Sequence, residues 1–369
     1  MPDVLIIGAG PAGAFAGLLL ARAGLSVTLI DQHQFPRDKV CGECLSPLAI
    51  EVLQRAQLLN HLHNAGATVL TRFALHSPQG HSTCLPLPRP MLGLSRLRLD
   101  PLILCEARQA GALLRERVRC EGICKASHGQ PIRARLRDLH SNRVEELPAQ
   151  HILLADGRSA LASPKPPPTG DFGLKAHFAG INAPRDAIEL FGIPGHYGGL
   201  APIEHDLWNI AFSVPQTRLH ECPNLDRLFT RITHQNTTLL ARMATARRVS
   251  DWLASPLPRF GPRAHWLPNL IPLGIAVAAI EPIAGEGMGL ALRSAELAVQ
   301  ALLNGTPAPE LFSQYQALWR VRRTACRLAA IAVSHPAFCT AAVALLNSSP
   351  AIAHFALRST GKVTPIPSI

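Results

Sequence analysis

The sequence predicts an α/β protein with a βαβ domain at its start, a second domain built on a mixed sheet, and a helical C-terminal end. Three observations predict it. Residues 4–7 form an apolar run ending in glycines, a small-residue helical stretch covers 11–23, and a second apolar run over 26–30 ends at Asp31, the pattern of strand, helix and strand. Residues 67–94 and 117–154 switch to short alternating segments punctuated by Gly, Pro and Asn, with a helix expected over 97–110 between them. Strands return over 172–214 and helices over 224–246. Residues 270–274 then lead into a long amphipathic helix over 287–303, and the chain after 309 is Ala- and Leu-rich and helical.

A chain of 369 residues, 47% hydrophobic, buries a substantial core. The first strand follows Met1 without a positively charged leader, so no secretion is expected. The nearest approach to a spanning segment, 267–280, is broken by Pro268, Asn269 and Pro272, which leaves at most peripheral membrane contact. Nine dispersed cysteines, an odd number, argue for reduced thiols and a cytoplasmic setting. The net charge of +11 comes from scattered arginines without a dense run or interleaved aromatics, which argues against nucleic acid; an anionic cofactor, an acidic carrier protein or a charged membrane surface accounts for it. The run ASPKPPPT at 162–169 reads as a linker, because consecutive prolines continue neither a helix nor an interior strand.

The strongest motif is Gly8-Ala9-Gly10-Pro11-Ala12-Gly13, set between strand and helix. Gly8 permits the tight turn, Gly10 lets the backbone approach a pyrophosphate, and Gly13 lets the helix pack on the strand. The helix start presents free N–H groups and a positive dipole end to phosphate, and Asp31 is placed to accept hydrogen bonds from a ribose. This is a Rossmann-like dinucleotide site, and alone it does not separate FAD from NAD. Cys41 and Cys44 form a CxxC pair with no second pair to complete a metal site; the histidines show no HxxxH or HExxH spacing, and no GxSxG elbow is present. No metal is expected.

The segment after the second strand, Phe35-Pro36-Arg37-Asp38-Lys39-Val40-Cys41-Gly42-Glu43 followed by Ser46-Pro47, resembles that of geranylgeranyl reductase-like flavoproteins. Three further matches follow in the family's order. Ser95-Arg96 with Asp100 resembles the start of the helix beside the cofactor. Ala155-Asp156-Gly157-Arg158-Ser159 is similar to the DG motif of flavin monooxygenases, and Glu281-Pro282 with Gly285-Glu286-Gly287-Met288 resembles the flavin-contacting loop. The resemblance implies an FAD-binding domain of the glutathione reductase or para-hydroxybenzoate hydroxylase type over 1–75, 95–160 and 265–308, a substrate domain over 76–94 and 161–264, and a helical segment over 309–369. It places Lys39, Cys41, Gly42, Arg96, Asp156, Pro282, Gly285, Gly287 and Met288 beside FAD. Backbone N–H groups at Gly285 and Gly287 would face the flavin's pyrimidine carbonyl, where negative charge builds up on reduction.

The chain departs from that pattern at the family's Gly-Asp pair, where the aspartate meets the ribityl and phosphate region: here Gly274 is followed by Ile275. Ala278 and Leu154 stand where the family has glycine, and Pro272 removes an N–H from a strand expected to be buried. Losing one charge-assisted hydrogen bond costs about 1.5–3 kcal/mol.

In the substrate domain, Phe172-Gly173-Leu174-Lys175-Ala176-His177 and Gly195-His196-Tyr197-Gly198-Gly199-Leu200 resemble family strands, and His196 and Tyr197 are candidates for substrate contact or proton transfer. The resemblance implies an oxidoreductase in which NAD(P)H reduces FAD and the reduced flavin saturates a carbon–carbon double bond or activates oxygen. The CGE segment and the helical ending lean toward the reductase-like branch and a lipophilic or carrier-bound small molecule. No WxWxIP-like segment is present, which disfavours a halogenase. Ile275, Ala278 and Leu154 favour a second reading, a flavin-free derivative acting as a cyclase, dehydratase or binding partner. An NAD-dependent dehydrogenase would leave the DG and GEGM segments unexplained.

Overall fold

The computed structural model describes residues 1–124, 131–157, 161, 170–258, 261–262, 266 and 269–361. The expected linker at 162–169, and Arg158 and Ser159 of the DG segment, lie outside the described residues.

The glycine-bearing start opens a five-stranded parallel sheet in the order Leu270–Pro272, His151–Leu154, Val4–Ile7, Val27–Asp31 and Leu113–Glu116. Alternation along the central strand divides its side chains between two cores. Val4 and Ile6 join the helices Pro11–Arg22, Arg96–Gln109 and Gly287–Asn304 on one face, while Leu5 and Ile7 join an antiparallel meander of Val118–Cys124, Ile132–Asp138 and Val144–Ala149 on the other. Pro272 lies in a strand that is buried, as expected, but stands at the edge of the sheet. Ile152 N–H bonds Asn269 O and Leu273 N–H bonds Leu154 O, so by alternation position 272 turns its nitrogen to the open side, where proline removes no ladder bond.

The second sheet has nine strands. Its path runs from Arg247–Arg248 through Asp171–Ala179, Trp208–Pro215, His196–Pro202, Ala187–Ile193, Thr68–His76 and Ser82–Gly93 to Cys44–Leu45, with Leu253–Pro256 pairing on Asp171–Ala179. Thr68–His76 thus enters this sheet ahead of the domain boundary expected at 75, because its register pairs it with Ser82–Gly93 and with Ala187–Ile193. Leu174, Ala176 and Phe178 turn to one face, where Leu225–Thr233 and Thr237–Arg242 supply Leu228, Ile232 and Leu239. Lys175 and His177, at the intervening positions, turn toward the parallel-sheet domain. The opposite face of the sheet from these helices is covered in part by Ala308–Ser334, Pro336–Ser348 and Pro350–Ser359.

Within the parallel sheet, the glycine turn crosses the chain just after His151–Leu154. Gly8 adopts φ +101°, and a Cβ there would lie 2.4 Å from Ala155 O. At Gly13 a Cβ would lie 1.9 Å from Gly8 O, so the first helix packs against the turn with no room for a methyl group. Gly13→Ala is expected to cost about 2 kcal/mol or more through forced separation of turn and helix, read as a lowered Tm in thermal denaturation.

Candidate active site

The carboxyl ends of the parallel strands, the loop after Val27–Asp31 and the edge strand Leu253–Pro256 enclose a cavity of about 790 Å³. That volume suits a cofactor with room beside it. Of the residues expected to contact a cofactor, Gly8, Gly10, Pro11, Ala12, Asp31, Lys39, Cys41, Gly42, Arg96, Asp156, Pro282, Gly285, Gly287 and Met288 line it. Gly13 does not; it lies behind the turn.

Each wall has a physical role. Gly10 opens the helix Pro11–Arg22, and the guanidinium groups of Arg37 and Arg96 stand 3.5 and 3.8 Å from where a Gly10 Cβ would lie, so two cations and a helix N-terminus converge on one spot suited to a pyrophosphate. Arg37 sits 3.8 Å from both Asp31 and Asp100, and Arg96 grips Asp100 through paired bonds of 2.6 and 2.7 Å. Burial opposes the charge on Arg96, but Asp100 more than offsets it and holds the guanidinium above its ordinary pKa. Asp31 accepts from Ala9 N–H and His33 N–H, one on each oxygen at 2.9 Å, which fixes the carboxylate and leaves each oxygen a further lone pair for a ribose hydroxyl. Lys39 reaches the DG segment, its ammonium 3.3 Å from the Cβ position at Gly157.

The loop before the helix Gly287–Asn304 is held from outside. Glu281 accepts from Tyr197 OH at 2.8 Å and from Arg327 at 2.9 Å, and Glu286 pairs with Arg322 at 3.4 Å. Gly285 turns through φ +68°, and a Cβ at Gly287 would meet open space, so the backbone there is free to approach a flavin edge. Trp319, from the helix Ala308–Ser334, also lines the cavity, and its buried Nε1 has no protein partner, an orphaned donor of the kind a bound group satisfies. These residues fit FAD. Ile275 and Ala278 do line the cavity, so the missing aspartate is a real loss of a polar contact; Leu154 is instead fully buried in the sheet core.

Behind the loop lies a buried ionic cluster that the sequence reading did not single out. Glu43, fully buried and at φ +55°, accepts from Arg96 N–H at 2.7 Å, from Lys175 Nζ, and pairs with His177 Nε2 at 2.7 Å. Lys175, itself fully buried, also pairs with Asp38. Asp38 and Glu43 face the cavity, which therefore borders a desolvated chain of proton-bearing groups. Cys41 touches Arg96, and Asn209 donates to Cys41 O at 3.0 Å. Cys120, in the opposite wall, is an inert thiol, pushed up to about 12 by burial.

His196 and Tyr197 do not line this cavity. Tyr197 packs among Leu75, Leu190, Ala330 and Val333 and holds Glu281; burial first, then the Glu281 charge, lifts its pKa well above the ordinary value. His196 bonds Pro194 O at 3.2 Å.

Residues 1–181 match the family model described as FAD binding domain. That stretch, just under half of the chain, carries the strands, glycine turn and DG segment that build the cavity, so the FAD-binding domain is identified by both its sequence and its geometry. The chain is 26% identical over 345 residues to a menaquinone reductase of Mycolicibacterium smegmatis, covering 82% of this chain and 76% of that one. It shares its fold with the flavin-dependent brominase Bmp2, at TM-score 0.80 and 21% identity over 98% of this chain and 93% of that one. A geranylgeranyl bacteriochlorophyll reductase-like protein of Thermoplasma acidophilum matches at TM-score 0.75 and 18% identity, over 98% and 96%. With an FAD-binding domain and flavoenzyme relatives, the protein is an FAD-dependent enzyme of the oxidoreductase type.

Two outcomes follow from this geometry. Ile275→Asp restores the missing polar contact and is expected to tighten FAD binding roughly tenfold in a fluorescence titration. Burial, opposed in part by the bond to Pro194, lowers the pKa of His196 from 6.5 to about 4. The unfolded chain therefore takes up that proton first as pH falls, and stability drops by about 3 kcal/mol between pH 6.5 and 4. Denaturation of His196→Asn across that window is expected to lack this component.

Proposed function

We propose that the protein uses FAD to reduce a carbon–carbon double bond in a lipophilic small molecule, with NAD(P)H as electron donor. The observation that carries this reading is the juxtaposition, around one cavity, of an apolar wall and a buried proton-bearing cluster. Leu253, Leu257, Pro258 and Ile280 line the same cavity as Glu43 and Asp38, and Leu253 is the cross-strand partner of Lys175, so hydrocarbon and the proton-bearing cluster adjoin. Saturating a double bond requires the equivalent of a hydride and a proton on adjacent carbons.

When bound, FAD supplies the hydride, drawn in turn from NAD(P)H. Gly10, the helix start at Pro11 and Arg37 hold its pyrophosphate, Asp31 its ribose, and the amides at Gly285 and Gly287 its pyrimidine edge. The apolar wall takes the substrate and excludes water, which strengthens every charge interaction inside. The proton passes from the Glu43, Lys175, Asp38 and His177 cluster, whose members are linked so that a proton lost at the cavity is replaced from His177. The likeness to the menaquinone reductase, an enzyme named for a quinone, supports a substrate of this class.

Monooxygenation is the second reading, supported by the match to aklavinone 12-hydroxylase of Streptomyces peucetius, 27% identical over 201 residues and covering 48% of this chain and 40% of that one. Anaerobic reduction of the FAD-loaded protein by NADPH, followed by addition of a polyprenyl quinone or polyprenyl alcohol, separates the two. Reoxidation by the substrate without oxygen, yielding a saturated product, supports the proposal. Reoxidation by oxygen alone with a hydroxylated product would sink it, and failure of both NADH and NADPH to bleach the flavin would remove the nicotinamide donor. Glu43→Gln, which keeps an acceptor but removes the charge, is expected to lower Tm and to lower turnover of the flavin-loaded fraction about a hundredfold.

A further inference from the structure

The three helices after residue 307 form a layer against one side of the nine-stranded sheet. Ala308–Ser334 packs on Ala187–Ile193 and His196–Pro202; Pro336–Ser348 packs on Thr68–His76, Ser82–Gly93 and Ala187–Ile193; and Pro350–Ser359 packs on Ser82–Gly93. Their inward positions, among them Ala330, Val333, Cys339, Val343 and Leu357, are buried. The sides turned away from the sheet carry Val321, Leu328, Ile331, Phe338, Leu345 and Phe355, each half or more exposed, with Phe355 at 69%. Large apolar side chains shared across three neighbouring helices mark an interaction surface rather than scattered exposure.

Charge decides what the surface fits. From residue 311 to residue 361 the chain carries five arginines and no aspartate or glutamate. At helical spacing Val321 and Leu328 share a row, and Arg320, Arg323 and Arg327 run along its flank. Arg322 turns inward to Glu286 and Arg327 to Glu281, so the layer is tied directly to the loop that borders the cavity. No single described helix is long and apolar enough to cross a bilayer; Ala308–Ser334 and Pro336–Ser348 reach that hydropathy only together and bend by 113°. Apolar helices lying along a surface with a basic margin match a membrane interface, where hydrocarbon enters the acyl boundary and arginine meets lipid phosphate.

We propose that the C-terminal helical layer docks the protein on an anionic phospholipid membrane. The exposed apolar side chains are spread over three helices and flanked by arginines with no carboxylate between residues 311 and 361, which fits a fluid anionic interface better than a folded partner. The proposal concerns the outer surface and stands whatever reaction the cavity performs. Docking there would let a lipophilic molecule pass between bilayer and protein without crossing water.

Co-sedimentation of the full chain with vesicles of equal parts phosphatidylglycerol and phosphatidylcholine, and with phosphatidylcholine alone, tests it. Binding is expected to the anionic vesicles, to weaken with added salt, and to fall at least about tenfold in Phe338→Glu/Phe355→Glu. Arg320→Gln/Arg323→Gln is expected to weaken it roughly fivefold per arginine. All variants should keep the wild-type Tm and flavin spectrum, which separates lost docking from lost folding. Absence of binding to anionic vesicles, or binding that these substitutions leave unchanged, would overturn the proposal. So would a self-dimer or a complex with an acidic acyl carrier protein that the same substitutions abolish while vesicles are ignored.

Discussion

A carboxylate with no exposure to water, Glu43, ties together the parts from which the cavity is made. It accepts the first N–H of the helix Arg96–Gln109, the ammonium of Lys175 from the second sheet, and pairs with His177 two residues along the same strand. Its left-handed backbone is a conformation a non-glycine residue keeps only when its surroundings demand it. Removing one partner from such a group strands the others, so the cluster sets the distance between the cofactor loop and the substrate sheet more firmly than apolar contacts would.

Given that joint, the remaining walls follow. The glycine turn brings the first strand, the first helix and the DG segment within backbone contact, which is why no Cβ fits at Gly8 or Gly13. Arg37 and Arg96 are fixed by Asp31 and Asp100 and supply positive charge where the helix dipole already favours an anion. On the far side Glu281 and Glu286 anchor the loop before Gly287–Asn304 through Arg327 and Arg322, so the C-terminal helices complete the site as well as covering the sheet.

Much of this was legible locally. The strand, glycine turn and helix at residues 4–22 follow from short-range apolar period and turn chemistry, and the segments around Lys39, Arg96, Asp156 and Gly285 read as cavity-lining because each is a contiguous motif. The ionic cluster was not, because Glu43 lies more than 130 residues from Lys175 and His177 and only the fold brings them together. A signal did exist: Lys175 and His177 alternate with Leu174, Ala176 and Phe178 in a strand buried on both faces, so their charges needed partners. His196 and Tyr197 drew attention by chemical type alone, and which face of a sheet opens to a ligand is decided by what packs on it. Pro272 misled because strand order, which put it on an edge, is not written in the strand itself.

The cavity is expected to hold FAD despite Ile275. An absorbance spectrum of the purified protein, with FAD titrated in if the protein is colourless, tests it most directly, alongside Gly10→Val as a variant that fills the pyrophosphate position. Flavin bands are expected at one FAD per chain in the native protein, with their loss in Gly10→Val while the fold is retained. A native protein that stays colourless and takes up no FAD at saturating concentration would contradict that expectation, and would leave the cavity to chemistry without a flavin.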